Sequence, residues 1–289
     1  MADINTLKAT ATQIRRDIVR MVGMAGSGHP GGSLSSTDVL TALYFSVMKH
    51  NPATWTRESK GQDVFIPSAG HLAPVYYATL ARSGYFPVAE LGTLRKFGSR
   101  LQGHPSTAHK LPGVVQPSGS LGQGLACAAG IALGKKSNGD DTRVFCLLGD
   151  GEQEEGEVWE TAIFAAHHRI DNLIGITDWN GKQIDGDIND VAGLGDLKAK
   201  WAAFGWETIE VADGNDMEQI LAAFAKAFAL TAEAHKAGRE GKPVMLLLHT
   251  EMGHGIDFMA GQHGWHGKAP KAEEVEKALA QLDETLGDF

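Results

Sequence analysis

Little in this chain suits an oxidising compartment, a membrane or a nucleic acid. Two cysteines among 289 residues are too few for a disulfide framework. Cys127 falls in an expected helix and Cys146 in an expected buried strand, so both read as packed free thiols, which suits the cytoplasm. Positive charge is short: 26 Lys and Arg against 35 Asp and Glu leave a formal net charge of −9. With no basic cluster, that argues against a nucleic-acid surface. No apolar run approaches the ~18 residues of a membrane span, and the N-terminal MADINTLKATATQIRRDIVR lacks the apolar core of a signal peptide. Internal repeats, low-complexity tracts and linkers are also missing. So are a P-loop and any His/Cys pattern for zinc. Residues 119–124 read GSLGQG, the wrong order for a dinucleotide fingerprint. What remains, 43% hydrophobic and 21% charged, is ordinary for a soluble globular protein, and 289 residues suffice for one large α/β domain with a substantial core or for two small domains.

The chain is organised around residues 143–186. Residues 143–148 are a short apolar run that reads as a buried strand, stopped by Gly149-Asp150-Gly151. Residues 153–168 carry Val158, Ala162, Ile163 and Ala166 at helical spacing, and a second apolar run, 172–177, ends in Asp178-Trp179-Asn180-Gly181. Strand, helix and strand make a βαβ unit with parallel strands. Asp150 and Asn180 then both stand at carboxyl ends of strands, where ligands bind in open α/β sheets. A carboxylate and an amide oxygen suit a hard divalent cation that keeps other ligands, as Mg²⁺ does with phosphates. Gly149 and Gly151 let the backbone approach an anion, and the following helix points its amide-rich end the same way. A Gly-Asp-Gly turn is also common turn chemistry; the paired strand ends favour metal plus diphosphate.

Elsewhere, strands and helices interleave. Residues 5–25 predict an amphipathic helix, and His29-Pro30-Gly31-Gly32 a loop punctuated by Pro and Gly. Ser36 or Thr37, with Asp38, is expected to cap a helix over 39–48. A strand is expected over 63–67, a helix over 73–83, loops over 85–116, and a small-residue loop, 118–124, opening a helix over 125–134 packed at a tight interface. Residues 184–198 read as an irregular, glycine-rich surface loop. A strand over 206–211, a helix over 217–237, a strand over 243–249, an aperiodic stretch with three histidines over 250–268 and a polar helix over 271–286 complete the pattern. The fold class this predicts is α/β, a doubly wound, mostly parallel sheet flanked by helices.

GDGE at 149–152, followed thirty residues on by Asn180 in DWNGKQIDG, resembles the thiamine diphosphate motif, and the wider chain resembles a transketolase. Seven segments stand in family order: SGHPGGSLS (27–35), SAGHLAP (68–74), GHP (103–105), GSLGQGLACAAG (119–130), GDGEQEEGEVWE (149–160), DWNGKQIDG (178–186) and GWHGKAP (264–270). The resemblance implies one diphosphate-binding (PP-type) domain over 1–289. It places His29, His71, His104 and His266 on the family's active-site histidines, which contact cofactor and sugar and assist proton movement; imidazole suits this because its charge changes near neutral pH. His71, His266, Gly119, Leu121, Gly151 and Asn180 fall on cofactor contacts. Asp150, Asn180 and the main-chain oxygen of Lys182 fall on ligands of Mg²⁺, for which Ca²⁺ or Mn²⁺ can stand in. Glu155 and Glu160 match acidic residues of a network across a subunit interface. Glu152, Glu154 and Glu157 read as a solvated helix start, and His109, His167, His168 and His235 as solvent or structural residues.

The resemblance further implies transfer of a two-carbon ketol unit from a ketose to an aldose, with thiamine diphosphate as cofactor. The family's glutamate that acts on the cofactor's pyrimidine belongs to a second α/β domain, which begins beyond the equivalent of residue 289. This chain is therefore expected to be the N-terminal subunit of a split transketolase, inactive alone. It is expected to assemble with a C-terminal subunit, two copies of each chain together. Trp179 departs from the usual asparagine or other polar residue, residues 253–267 depart from the commoner form of that loop, and the GHP segment lacks a following glutamate. These bear on the sugar, with sulfonated or branched ketoses among the possibilities. The rivals are the α-subunit of a 2-oxo acid dehydrogenase, a deoxyxylulose phosphate synthase-like protein and a non-catalytic homologue. SGHPGG and WHGKAP favour transketolase.

Overall fold

The computed structural model describes residues 3–289. Its centre is a five-stranded parallel sheet of β1 (Val64–Pro67), β2 (Val144–Gly149), β3 (Leu173–Trp179), β6 (Glu207–Val211) and β7 (Val244–His249), in the spatial order β1-β2-β3-β7-β6. Both faces of such a sheet are covered, so β1, β2 and β7 are apolar almost throughout, whereas edge strand β6 alternates Glu207 and Glu210 with buried Ile209 and Val211. In β2, Phe145 and Leu147 enter one core, and Val144, Cys146 and Leu148 the other.

Helices α1 (Ile4–Ala25), α3 (Thr37–Ala42), α4 (Ala73–Arg82) and α9 (Met217–Lys236) close the first face; α5 (Gln123–Ser137), α6 (Gly156–His167) and α8 (Leu197–Ala203) close the second. The long α1 starts on Asp3, whose carboxylate accepts from the amides of Asn5 and Thr6, and ends on Gly26 in the left-handed conformation. Between β3 and β6 a small antiparallel pair, β4 (Lys182–Gln183) and β5 (Gly186–Asp187), leads into α7 (Ile188–Ala192). A last helix, α10 (Ala272–Leu279), packs back on α1. Among the described residues no helix is long and apolar enough to cross a membrane.

Several expectations are corrected. His29 to Gly32 is not a loop: α2 (Pro30–Ser35) begins there, with Pro30 in the first turn, where its missing N–H costs nothing. Gly31 sits in this helix because a Cβ would lie 2.8 Å from Met252 and 2.9 Å from the Trp265 carbonyl. The helix expected over 39–48 is α3 followed by a π-helical turn, Leu43–Val47. Ser36 makes no side-chain cap bond, because it is already helical and its N–H bonds to the Gly32 carbonyl; Asp38 instead pairs with Arg15. The 184–198 stretch is partly ordered: α7 lies inside it, and α8 begins at Leu197, capped by Asp196 and anchored by buried Leu197 and Trp201. Cys127 is exposed, on the outer face of α5, while Cys146 is buried in β2.

Candidate active site

The carboxyl ends of β2 and β3 meet as their register requires, Gly149 lying beside Asp178. Asp150 follows β2, 2% exposed; its Oδ1 accepts from the Gly151 amide at 2.9 Å and its Oδ2 from the Gly181 amide at 2.6 Å. Among the described residues no cationic side chain pairs with it. Burial, then the Asp178 carboxylate, pushes its pKa up to about 7. Asn180 is fixed in rotation: its Nδ2 donates to Asp178 at 3.0 Å, and its Oδ1 accepts from the Lys182 amide at 3.0 Å. Asp178 is itself buried and accepts from Ser35 at 2.6 Å and from Thr250.

A carbonyl oxygen keeps a second lone pair after one hydrogen bond, so Asn180 Oδ1 and the Asp150 carboxylate are both available to a cation. Among the described residues no three His, Cys, Asp or Glu side chains gather as a metal cluster; the oxygens present, one carboxylate, one side-chain amide and main-chain carbonyls, are of the kind that suits Mg²⁺ or Ca²⁺. Lys182, the third expected ligand residue, lines the same cavity, with its ammonium turned to Asp187.

That cavity, about 240 Å³, is lined by Gly151, Leu121, His71 and His266 together with Asp150 and Asn180. The four predicted histidines, from four separate loops, form one cluster. His29 lies 5.5 Å from His71, 5.9 Å from His104 and 5.7 Å from His266 between ring centroids, and His71 lies 4.9 Å from His266. Burial, with a smaller push from neighbouring rings, lowers His29 to about 4 and His71 to about 3; burial also lowers His104 and His266. All four are thus neutral near pH 7, and each ring can donate from one nitrogen and accept at the other. The Nδ1 atoms of His29 and His266 and the Ser118 hydroxyl are buried without a partner, an unmet demand that a polar ligand fits. Gly119 stands beside the His104 ring, 3.7 Å from where its Cβ would be. His263 is exposed and outside the cavity. His109, His167 and His168 are exposed, and His235 pairs with Asp171 at 2.6 Å.

Glu154 and Glu157 are not buried, and Glu155 and Glu160 are exposed at the start and on the outer side of α6. Glu152 is a correction: it is 3% exposed and accepts from the Ser68 hydroxyl and from the amides of Gly122 at 2.8 Å and Gly149 at 3.1 Å. Burial raises its pKa to about 7. Sequence reasoning also passed over Ser35, Asp178 and Thr250; an acidic residue directly before the Asn180 turn on a buried strand was the available signal.

A parallel α/β sheet with a carboxylate and an amide at adjoining strand ends, and neutral imidazoles at the same cavity, defines an α/β protein with a polar ligand site at the carboxyl edge of its sheet. The chain belongs to the transketolase family: residues 6–285 match its domain described as "Transketolase, thiamine diphosphate binding domain". It is 36% identical over 283 residues to one subunit of the apulose-4-phosphate transketolase of Phocaeicola vulgatus, covering 98% of this chain and 96% of that protein. It is 38% identical to a 6-deoxy-6-sulfo-D-fructose transketolase subunit of a Clostridium species, covering 96% of each. Among solved structures it is similar to transketolase from Leishmania mexicana (TM-score 0.88, 30% identity) and from Campylobacter jejuni (0.85, 29%). It covers 100% and 97% of itself in these but only 42% and 43% of those chains, so it spans about two fifths of the solved transketolases.

Proposed function

We propose that this chain is the diphosphate-binding subunit of a thiamine diphosphate-dependent transketolase, moving a two-carbon ketol unit from a ketose to an aldose in the cytoplasm. The observation that carries the reading is the convergence of Asp150, Asn180, Gly151, His71 and His266 on one cavity, with His29 within 6 Å of both rings and of His104. Asp150, the Asn180 oxygen and the main chain at Lys182 would hold Mg²⁺ and, through it, the diphosphate, with Gly151 at the phosphates and Gly119 and Leu121 beside the rings. When bound, the cofactor supplies a carbon nucleophile and then stores the electron pair of the broken C–C bond. His29, His71, His104 and His266 orient the sugar's oxygens and move protons to and from them. Their neutral state matters, because an imidazolium cannot accept a proton.

A cavity of about 240 Å³ falls short of the roughly 300–1,000 Å³ typical of ligand pockets, which supports a site completed by another chain. Exposed Ile163 and Phe164 on α6, at 59% and 41%, with Glu160 beside them and Cys127 on neighbouring α5, offer that chain an apolar face with an acidic edge. The names of the similar subunits point the same way. We infer a C-terminal partner carrying the pyrimidine-binding domain, two copies of each chain, and Glu155 and Glu160 in the network between them. The donor is a ketose phosphate or a related anionic ketose. Assaying this chain alone and after mixing with the partner tests the division of labour: ketol transfer only by the pair is expected, and full transfer by this chain alone would refute it.

A further inference from the structure

Three of the loops around the cavity are tied together by one buried carboxylate. Ser68, directly after β1, precedes the turn that carries His71; Gly122 closes the loop that carries Gly119 and Leu121; Gly149 ends β2 at the diphosphate turn. All three donate to Glu152, the first two to Oε1 and the third to Oε2. We propose that Glu152 is a positioning residue that holds the ring-side loop at 118–122 in register with the diphosphate turn, and so sets how tightly the thiamine end of the cofactor is held.

The two loops do not depend on Glu152 equally. The diphosphate turn keeps other ties: the Asp150 amide to the Asp178 carbonyl at 3.2 Å, the Gln153 amide to the Asp150 carbonyl at 2.9 Å, and the Gln153 side chain to the Gly149 carbonyl and Thr177. The ring-side loop has a tie at its start, the Ser118 amide to the Pro105 carbonyl at 3.1 Å, and the bond from Gly122 to Glu152 at its end. Close packing transmits the tie onward. Gly124 lies so near Ser68 that a Cβ would come within 2.4 Å of its Cα, so the loop and the His71 turn cannot move apart without opening a gap in the core. All three partners are donors, so the carboxylate, with its four lone-pair sites, meets them without a proton of its own. Glutamine offers one acceptor oxygen and turns an NH₂ toward one of the N–H groups.

This inference rests on the thiamine diphosphate reading, and the test separates the two. Calorimetric titrations of thiamine diphosphate and of inorganic pyrophosphate, each with Mg²⁺, are run on the full chain in complex with its partner. The wild type, Glu152→Gln and Ser68→Ala are compared. Glu152→Gln should weaken thiamine diphosphate roughly 10- to 100-fold and pyrophosphate by less than about threefold. Ser68→Ala, which leaves both backbone donors in place, should lie between wild type and Glu152→Gln and serves as the readout if the glutamine variant does not fold. Equal losses for both ligands, or unchanged affinities in both variants, would overturn the role of Glu152. Failure of the wild type to bind thiamine diphosphate would overturn the underlying reading instead.

Discussion

Replacing two of the clustered histidines, as His29→Asn with His71→Gln, should flatten the acid limb of the stability curve. An unperturbed histidine takes its proton near 6.5, whereas in the folded chain His29 waits until about 4 and His71 until about 3. Between those values the unfolded chain binds protons that the folded chain refuses, so stability falls as pH falls through this window. Each unit below 6.5 costs about 1.4 kcal/mol per histidine. At pH 5 the deficit is therefore about 2 kcal/mol for each ring and about 4 kcal/mol for the pair, a large share of the roughly 5–15 kcal/mol that holds a folded domain together. Urea unfolding followed by circular dichroism at pH 7 and pH 5 measures it. The double variant should lose about 4 kcal/mol less than the wild type over that interval. Equal losses would mean that the two rings titrate normally and that the cluster is wetter and looser than its geometry implies.

Further perturbations probe the cation, the sugar and the scaffold. Asp150→Ala or Asn180→Ala should abolish metal-dependent binding of thiamine diphosphate by calorimetry, since each removes a side-chain oxygen proposed to hold the ion. Substituting His71, His104 or His266 should mainly lower turnover of the assembled enzyme in a steady-state assay; unchanged kinetics in all three would discredit their assignment. Arg82→Met should cost about 3–5 kcal/mol in urea unfolding, because Asp17, whose side chain is fully buried and bonded to Arg82 at 2.7 and 2.8 Å, would be left as an uncompensated charge.

Much of the fold was legible for a physical reason. Strands covered on both faces must be apolar throughout, so residues 143–148, 172–177 and 243–249 stood out, and the turn residues after them marked the edge where Asp150 and Asn180 meet. The histidines were legible as loop residues, but their gathering around His29 within 6 Å needed the topology, because one precedes β1, two lie between β1 and β2 and one follows β7. α2 was hidden because Pro and Gly are helix breakers in isolation, whereas here Pro30 sits in a first turn and Gly31 is demanded by Met252 and Trp265. Glu152 was hidden among four acidic neighbours; its partners Ser68 and Gly122 lie 84 and 30 residues away, and local charge patterning carries no trace of such distances. α8 was masked by the glycines before it, although Trp201 at its centre is wholly buried.

The account stands on the cation and diphosphate at the ends of β2 and β3. A crystal structure of the chain with thiamine diphosphate and Mg²⁺, alone or with its partner, tests this directly. It should place the ion about 2.1 Å from an Asp150 carboxylate oxygen and from Asn180 Oδ1, with the diphosphate against Gly151. A diphosphate bound elsewhere, with both side chains turned away from the ion, would contradict it.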